Sequence, residues 1–593
     1  MKKEILNKAK VWTASEFDEE TRQEIQHLID EGNEKELVDR FYKELEFGTG
    51  GMRGIMAAGS NRMNIYTVGR ATQGLANYLL ETYSDTPERG VSIAYDSRNN
   101  SKLFAREAAR VLAANGIKVF IYPELRPTPL LSYTVRELCN RAGIVLTASH
   151  NPKEYNGYKV YGADGSQVIS PEDVRIVAHV NGVDILHGVK WMEYSEGTAR
   201  GLITELGPEI EHSYLEKVYA FTRSVEEGIQ KELSASTRKI KVVYSPLHGA
   251  GITMVPKALE MVEGAVVLCE PEQSKPDGNF STTPSPNPEE TKALSRAIEY
   301  ARREKADMVI ATDPDCDRMG LAVPDDTGNF ITLNGNQIGC MLAYTIASSY
   351  ERSGHMPANP VIISTVVSTE LAGEIARTFG VDIHYVLTGF KFIAARMREF
   401  EETGNHNFIF AFEESYGYLA DTFVRDKDGV IASVLALLMV KYAAAVHGSV
   451  LAFLEHIYRK YGMYVEYMQS FTLKGAEGAE KIKELMKNLR EDPPDRIAGS
   501  PMEMIKDYQT RKVKHLLTGK TEGITGLPVS NVLQFYTGDD VKVSARPSGT
   551  EPKIKFYFGF SMPMAGSMEE TKRKLDDKYN RVSEELFKRC GLL

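Results

Sequence analysis

The sequence predicts an α/β protein of four domains, three of one kind and a smaller α+β fourth. Three observations lead there. The chain has 593 residues, which at roughly 150 residues per domain makes about four, and one core of that size would be unusual. Three blocks share a rhythm of short β-branched apolar runs separated by helix-like stretches, the pattern of buried, largely parallel strands. The last stretch breaks that rhythm.

In the first block the strands fall at 91–96, 117–122 and 142–146, with a helix at 104–115. The second block places strands at 240–244, 265–269 and 307–311, and the third at 361–367, 383–387 and 407–412. No residue-level repeat relates the blocks, so their kinship is an expectation about structure alone. Helices at 472–488 and 568–586 with strands at 541–545 and 553–558 make up the fourth domain. The boundaries drawn are 1–205, 206–328, 329–458 and 459–593. A helix at 430–442 reads as amphipathic and is expected to pack the third domain; its apolar core, 430–440, ends at Lys441 and is too short to span a bilayer.

Composition narrows the function classes. Hydrophobic residues are 42% and charged residues 26%, the balance of a folded globular chain. The net charge of −10 disfavours a protein devoted to nucleic acid or anionic membrane. The five cysteines, Cys139, Cys269, Cys316, Cys340 and Cys590, form no CxxC pair, so neither a disulfide framework nor a zinc site is expected. The segment MKKEILNKAKVW lacks the apolar run of a secretory leader. A soluble protein of the cytoplasm is the expectation.

The chemistry is expected where the third strand of each block ends, because the carboxyl ends of strands carry the ligand site in open α/β sheets. There the chain reads TASHNP from Thr147, TDPDCDR from Thr312 and EESYG from Glu413. Three polar loops of this kind imply one shared cleft. Asp313, Asp315 and Asp317 alternate, so their carboxylates can converge, and hard oxygens suit Mg²⁺ or Ca²⁺. An EF-hand is excluded because its sixth and twelfth positions, which need Gly and Glu, are Arg318 and Pro324. Ser149 and His150 on an extended segment would point to opposite sides, and no GxSxG elbow is present. Lys159 follows as a cation near the same strand end. Arg546, Ser548, Gly549 and Thr550 have the make-up of an anion cradle, and Glu413 with Ser415 offers an acceptor and a donor to sugar hydroxyls. The segment GTGGMRG from Gly48 reads as a glycine-rich loop ending in a cation, without the GK[ST] of a Walker motif.

In this order, TASHNPKEYNGYK, TDPDCDR, FEESYGY and RPSGTEPKIKFY resemble the α-D-phosphohexomutase superfamily over Gly48 to Tyr557. Length and GTGGMRG are most similar to its long phosphoglucomutase branch, which includes phosphopentomutases. The resemblance implies four domains around a central cleft. It implies Ser149 as the phosphoserine and a metal ligand with Asp313, Asp315 and Asp317, holding one Mg²⁺ per chain. Arg53, His150, Lys159 and Arg318 match groups around the transferring phosphoryl, with Lys159 and His150 as alternative proton carriers. Glu413 and Ser415 match sugar contacts, Gly389 and Lys391 a specificity loop, and Arg546, Ser548, Gly549 and Thr550 the site of the non-reacting phosphate. Cys316 and Phe412 stand where many members carry glycine; Phe412 would crowd the specificity loop.

The implied reaction interconverts glucose 1-phosphate and glucose 6-phosphate, with glucose 1,6-bisphosphate as intermediate and activator. Phosphopentomutase and phosphomannomutase activities share the chemistry. An aspartyl nucleophile at Asp313 would want Thr or Val at 317, and a non-catalytic sugar-phosphate sensor would not need Ser149 and three aspartates together. The partner is a small sugar phosphate, with no nucleic acid and no membrane; a monomer and a weak dimer are both open.

Overall fold

The structure is a computed structural model that describes residues 3–48, 50–233, 238–473, 475–548 and 552–593. The three expected α/β sheets are present, and one strand arrangement recurs in each. In the first domain Val119–Ile121, Val91–Tyr95, Ala142–Leu146 and Tyr155–Gly162 lie side by side in that order. The second repeats it with Ala265–Cys269, Ile240–Ser245, Met308–Thr312 and Met319–Pro324, and the third with Asp382–Val386, Pro360–Thr365, Asn407–Glu413 and Gly417–Leu419. Each time the first three are parallel and the fourth returns antiparallel beside the third. The sheets are therefore mixed rather than parallel throughout. The reason is loop length: the polar loops at 147–154, 313–318 and 414–416 are too short for a crossover, which needs a dozen or more residues. Each loop is consequently held at both ends by hydrogen-bonded strands.

Two further readings change. GTGGMRG is an edge strand, Gly51–Ile55, antiparallel to Tyr155–Gly162 with Arg53 opposite Gly157. Gly51 is required there: its φ is 151°, and a Cβ would lie 2.1 Å from the Tyr158 carbonyl oxygen. Residues 3–41 form three helices that the sequence did not announce, closed around Trp12, Phe17 and Phe41 against Tyr66 of the first domain.

The fourth domain is an antiparallel sheet in which Met463–Thr472, Lys553–Met562, Val541–Pro547, Leu533–Thr537, Ser500–Asp507 and Lys512–His515 follow one another. Thr472 ends a strand, paired with Lys553, and the helix expected from that residue begins later, as Gly475–Glu491. Alternation divides the sheet into two faces. Ile505, Leu533, Phe535, Val543, Phe556 and Phe558 belong to the core with the helices Gly475–Glu491 and Met568–Arg589. The other face meets the third domain, where Gln534 Nε2 donates to the Val366 carbonyl at 2.6 Å and Lys542 Nζ to the Ser368 carbonyl at 3.0 Å.

The apolar helix is Gly429–Val446 and is not amphipathic: every residue from Gly429 to Val440 is buried. A helix apolar all round belongs in a core, and this one packs against Val255–Glu260 of the second domain, Gly335–Ser353 of the third and Glu209–Gly228 between the first two. Lys441 is absorbed by Glu226 at 2.7 Å. Asp428 caps the helix, accepting from the amides of Val430 and Ile431 and, at 2.8 Å, from the hydroxyl of Tyr214 on Glu209–Gly228. Burial raises the Asp428 carboxyl to about 6 while those donors hold it down.

Tyr214→Phe removes one donor from this buried carboxylate and leaves the packing intact. The expected cost is about 1–3 kcal/mol, read as a lower urea midpoint than wild type; an unchanged midpoint would show that the bond contributes nothing net.

Candidate active site

Ser149 follows the strand Ala142–Leu146, and its backbone is left-handed, with φ 51°. Thr147 Oγ1 accepts its amide at 2.8 Å. Inside the loop lies Arg98, whose guanidinium donates to the carbonyls of Ser149, Asn151, Pro152 and Tyr155. Four carbonyls on one charged fork fix a loop that has no ladder of its own. Arg98 is in turn paired with Asp96 at 3.4 Å, both side chains fully buried, and Asp96 accepts from Ser101 Oγ at 2.7 Å.

The left-handed turn corrects the expectation that Ser149 and His150 diverge. Ser149 Oγ lies 3.1 Å from His150 Nδ1 and donates to Asp313 Oδ2 at 2.6 Å. Burial, then the guanidinium groups of Arg318 and Arg53, push the imidazole far below its ordinary range, so it is neutral. Arg53 donates to Asn151 Oδ1 at 2.9 Å from its edge strand.

The three aspartates converge as their spacing predicts. Their ligand oxygens lie within 4.8 Å of one another, and all three residues are buried. Cys316 accommodates the turn without glycine by adopting φ 54°, its side chain buried. Asp313 Oδ1 accepts from the amides of Asp317 and Arg318 at 3.1 and 3.0 Å. Asp315 Oδ2 takes Lys159 Nζ at 2.8 Å and Thr128 Oγ1 at 3.1 Å; Asp317 Oδ2 faces Lys427 Nζ at 3.1 Å and Lys159 at 3.5 Å. Burial, then its neighbours Asp317 and Asp315, push the Asp313 carboxyl well up, whereas at Asp315 burial is overcome by Lys159. Asp315 Oδ1 and Asp317 Oδ1 are buried with no hydrogen-bond donor. Orphaned carboxylate oxygens at a point of converging negative charge fit a hard divalent cation.

The third loop is clamped to the second. Met319 N donates to the Tyr416 carbonyl at 3.1 Å, and Arg318 bridges Gly417. Arg318 also pairs with Glu289. Glu413, buried at the strand end, is raised to about 7 by burial, with Lys427 and Arg318 opposing and Glu414 adding; Ser415 hydrogen-bonds to it. Phe412, expected to crowd the specificity loop at Gly389 and Lys391, packs inward instead. Its ring is fully buried and stacks near Phe410, against the helix at Gly339, where a Cβ would lie 2.3 Å from the ring.

Gly389, with φ 118°, starts the helix Phe390–Thr403. Lys391 in its first turn is half-buried, pushed down by burial and up by Asp173 of the first domain. Arg546 is next to last in the strand Val541–Pro547, opposite Lys555, on the face turned to the third domain, and hydrogen-bonds to Tyr557. Lys555 is pushed down by burial and by Lys553 and Arg546, and up by Glu414 and Glu289, which brings the cradle's cations to the same loops. Ser548 N donates to the Lys553 carbonyl at 2.7 Å. Gly549 and Thr550 lie outside the described residues.

Arg98, Lys427 and Glu289 were not found by sequence reasoning. Arg98 stands just past a strand end, in Asp96-Ser-Arg98, and Lys427 between two aspartates ahead of the apolar helix; both positions are signals, though neither residue has a spacing partner in the chain.

Three models of the phosphoglucomutase/phosphomannomutase family, for its α/β/α domains I, II and III, match residues 44–185, 212–328 and 334–461. A phosphoglucomutase of Staphylococcus aureus (strain USA300) is 36% identical over 548 residues, 91% of this chain and 94% of its own length. That of strain MSSA476 is 36% identical over 572 residues, 95% and 96% of the two chains. Among solved structures, the open form of the Paramecium phosphoglucomutase parafusin superposes with a TM-score of 0.64 at 16% identity, covering 93% of this chain and 95% of that one. A putative phosphomannomutase of Thermus thermophilus gives 0.61 at 22%, with 90% and 99% covered. Both share the fold.

A divalent cation present at a hundredfold excess over its dissociation constant should stabilise the folded chain by about 2.7 kcal/mol. The urea midpoint should rise on adding Mg²⁺ to wild type and stay put in Asp315→Asn/Asp317→Asn. Equal shifts in the two proteins would remove the metal assignment.

Proposed function

The chain belongs to the phosphoglucomutase/phosphomannomutase family, and we propose that it interconverts glucose 1-phosphate and glucose 6-phosphate through phosphorylated Ser149 and a glucose 1,6-bisphosphate intermediate. The observation that carries this reading is Ser149 Oγ at 2.6 Å from Asp313, a nucleophile seated on a cation-ready carboxylate cluster, with sugar- and phosphate-type groups on the facing loops. Ser149 and the three aspartates would hold one Mg²⁺, which supplies Lewis-acid polarisation of the transferring phosphoryl group.

The protein's own groups do the rest. In the first half-reaction the sugar's free hydroxyl attacks phosphorus, the P–Oγ bond breaks, the hydroxyl loses a proton and Oγ gains one. In the second, Oγ attacks the other phosphate of the bisphosphate and the sugar oxygen leaves with the proton. By position His150, 3.1 Å from Oγ, is the nearer proton carrier, although the burial and guanidinium groups that keep it neutral also make it a weak base. Lys159 is poor in that role, because Asp315 and Asp317, working against burial, hold its ammonium charged. Lys159, Arg53 and Arg318 instead hold the equatorial oxygens of the moving group. Glu413 and Ser415 bind ring hydroxyls, the loop at Gly389 and Lys391 closes on the sugar, and Arg546, Ser548, Gly549 and Thr550 grip the phosphate that stays. On this reading the protein acts on a small sugar phosphate, and we place it in the cytoplasm.

Ser149→Ala should lose nearly all mutase activity with its fold intact, and the wild type should carry one phosphate on Ser149 by intact mass. Activity within tenfold of wild type would move the nucleophile elsewhere. Side by side, glucose 1-phosphate should exceed ribose 1-phosphate by at least about tenfold in kcat/KM, since a site built to bond a hydroxyl rejects a misplaced one; a ratio below one would change the sugar and spare the phosphoserine.

The raised Glu413 carboxyl adds a pH signature. Below about 7 it is protonated, loses its charge and becomes a weaker acceptor that also donates, so KM for glucose 1-phosphate should rise as pH falls through that value. Glu413→Gln should have a higher and pH-flat KM. An equally steep profile in that variant would assign the titration to another group.

A further inference from the structure

On the helix-covered face of the fourth-domain sheet the cover is incomplete. Lys514 pairs with Ile505 and Lys512 with Asp507 across the ladder, and directly opposed residues share a face. Both lysines therefore stand on the side where Ile505 and Leu533 are core, yet both are exposed. The helix Gly475–Glu491 turns Lys483, Lys487 and Arg490 toward them, at the i, i+4, i+7 spacing of one face. Between the two walls lies a cavity of about 600 Å³, within the range of small-molecule sites.

Its charges do not balance internally. Two carboxylates line it, Glu491 and Asp507, against five cations, of which Lys483 is paired with Glu480 at 3.1 Å. Asp507 is already used by Arg490 Nε at 3.2 Å, the Gln509 amide at 3.0 Å and Thr510 Oγ1 at 2.7 Å. Glu491 reaches Lys487 only at 3.9 Å, and Lys512 and Lys514 have no ion pair among the described residues. Cations on facing walls repel one another unless an anion sits between them. The groove is separate from the catalytic cleft: Ala545, the neighbour of Arg546 in its strand, pairs with Leu533 on the groove side, so Arg546 points to the opposite face.

We propose that this groove is a second ligand site, for a small molecule carrying at least two phosphate groups on an organic body. Charges on both walls require anionic groups at both ends of the ligand, and the apolar floor of Ile505 and Leu533 suits carbon between them. A walled groove on a chain of net charge −10 selects a small polyanion over nucleic acid or membrane, which would bring extended negative charge against the rest of the surface.

The test is calorimetric titration with inorganic pyrophosphate at fixed ionic strength, on wild type and on Lys487→Gln/Lys512→Gln, one residue from each wall and both outside the catalytic machinery. Wild type should bind pyrophosphate in the groove with millimolar or better affinity. The double variant should lose that event by at least about tenfold, with unchanged melting temperature and unchanged basal kcat and KM. Arg546→Ala should retain it. Identical isotherms for wild type and double variant would overturn the site, as would its loss in Arg546→Ala. Tighter binding of a single-stranded oligonucleotide or of phosphatidylserine vesicles than of pyrophosphate, abolished in the double variant, would overturn the small-molecule assignment.

Discussion

Three carboxylates buried at one point are the constraint around which the molecule is arranged. Bringing Asp313, Asp315 and Asp317 within 4.8 Å is unfavourable by both desolvation and like-charge repulsion, and the second domain does not offset it alone. Lys159 comes from the first domain and Lys427 from the third, each on a carboxylate of the second. Thr128, at the start of a first-domain helix, donates to the same Asp315 oxygen as Lys159. The contacts that neutralise the cluster are thus the contacts that dock three domains, so the chemical site and the domain interface are one structure. Breaking one partner of such an arrangement leaves an uncompensated buried charge, which makes docking and site assembly cooperative.

Rigidity in the cleft comes from topology more than from packing. Each polar loop is the turn of a hairpin appended to a parallel sheet, so its ends are fixed by ladders on both sides. Only the first of the three, at 147–154, has slack, and there Arg98 serves as an internal strut across four carbonyls. A nucleophile loop long enough to present a serine in a left-handed turn needs that strut; the two-residue connections typical of hairpins do not. The same device recurring in three domains exposes a kinship with no counterpart in residue identity.

Much of this was legible in the sequence. Buried β-branched runs mark their own strands, and an acidic alternation after such a run places its carboxylates before any coordinates are known. What escaped has physical causes. Return strands such as Met319–Pro324 were overlooked because parallel strands and antiparallel returns are equally apolar when both faces are covered. The Ser149–His150 relation was misjudged because a left-handed serine cannot be read from side-chain alternation. Thr472 reads as helical in the sequence because Met463–Thr472, half-buried along most of its length, shows little of the contrast that separates period two from period 3.6. Lys427 and Arg98 act through tertiary contacts across the chain, and a lone cation carries no periodicity.

The helix Gly429–Val446 has a consequence for biosynthesis. The stretch 430–440 alone is too short to span a bilayer, but the whole helix, with 18 residues and a mean hydropathy of 2.1, passes for a membrane-crossing segment by length and composition while the chain is still unfolded. What distinguishes it is timing. Three of the surfaces that cover it, Glu209–Gly228, Val255–Glu260 and Gly335–Ser353, precede it in the chain, while Val450–Tyr461 follows, so on emergence it meets a receptor largely made. Rearranging the gene so that residues after 429 were translated first would send the same helix out uncovered, as a nascent segment open to membrane-insertion machinery and aggregation. The linear order of the domains is therefore part of what keeps this helix in the protein interior.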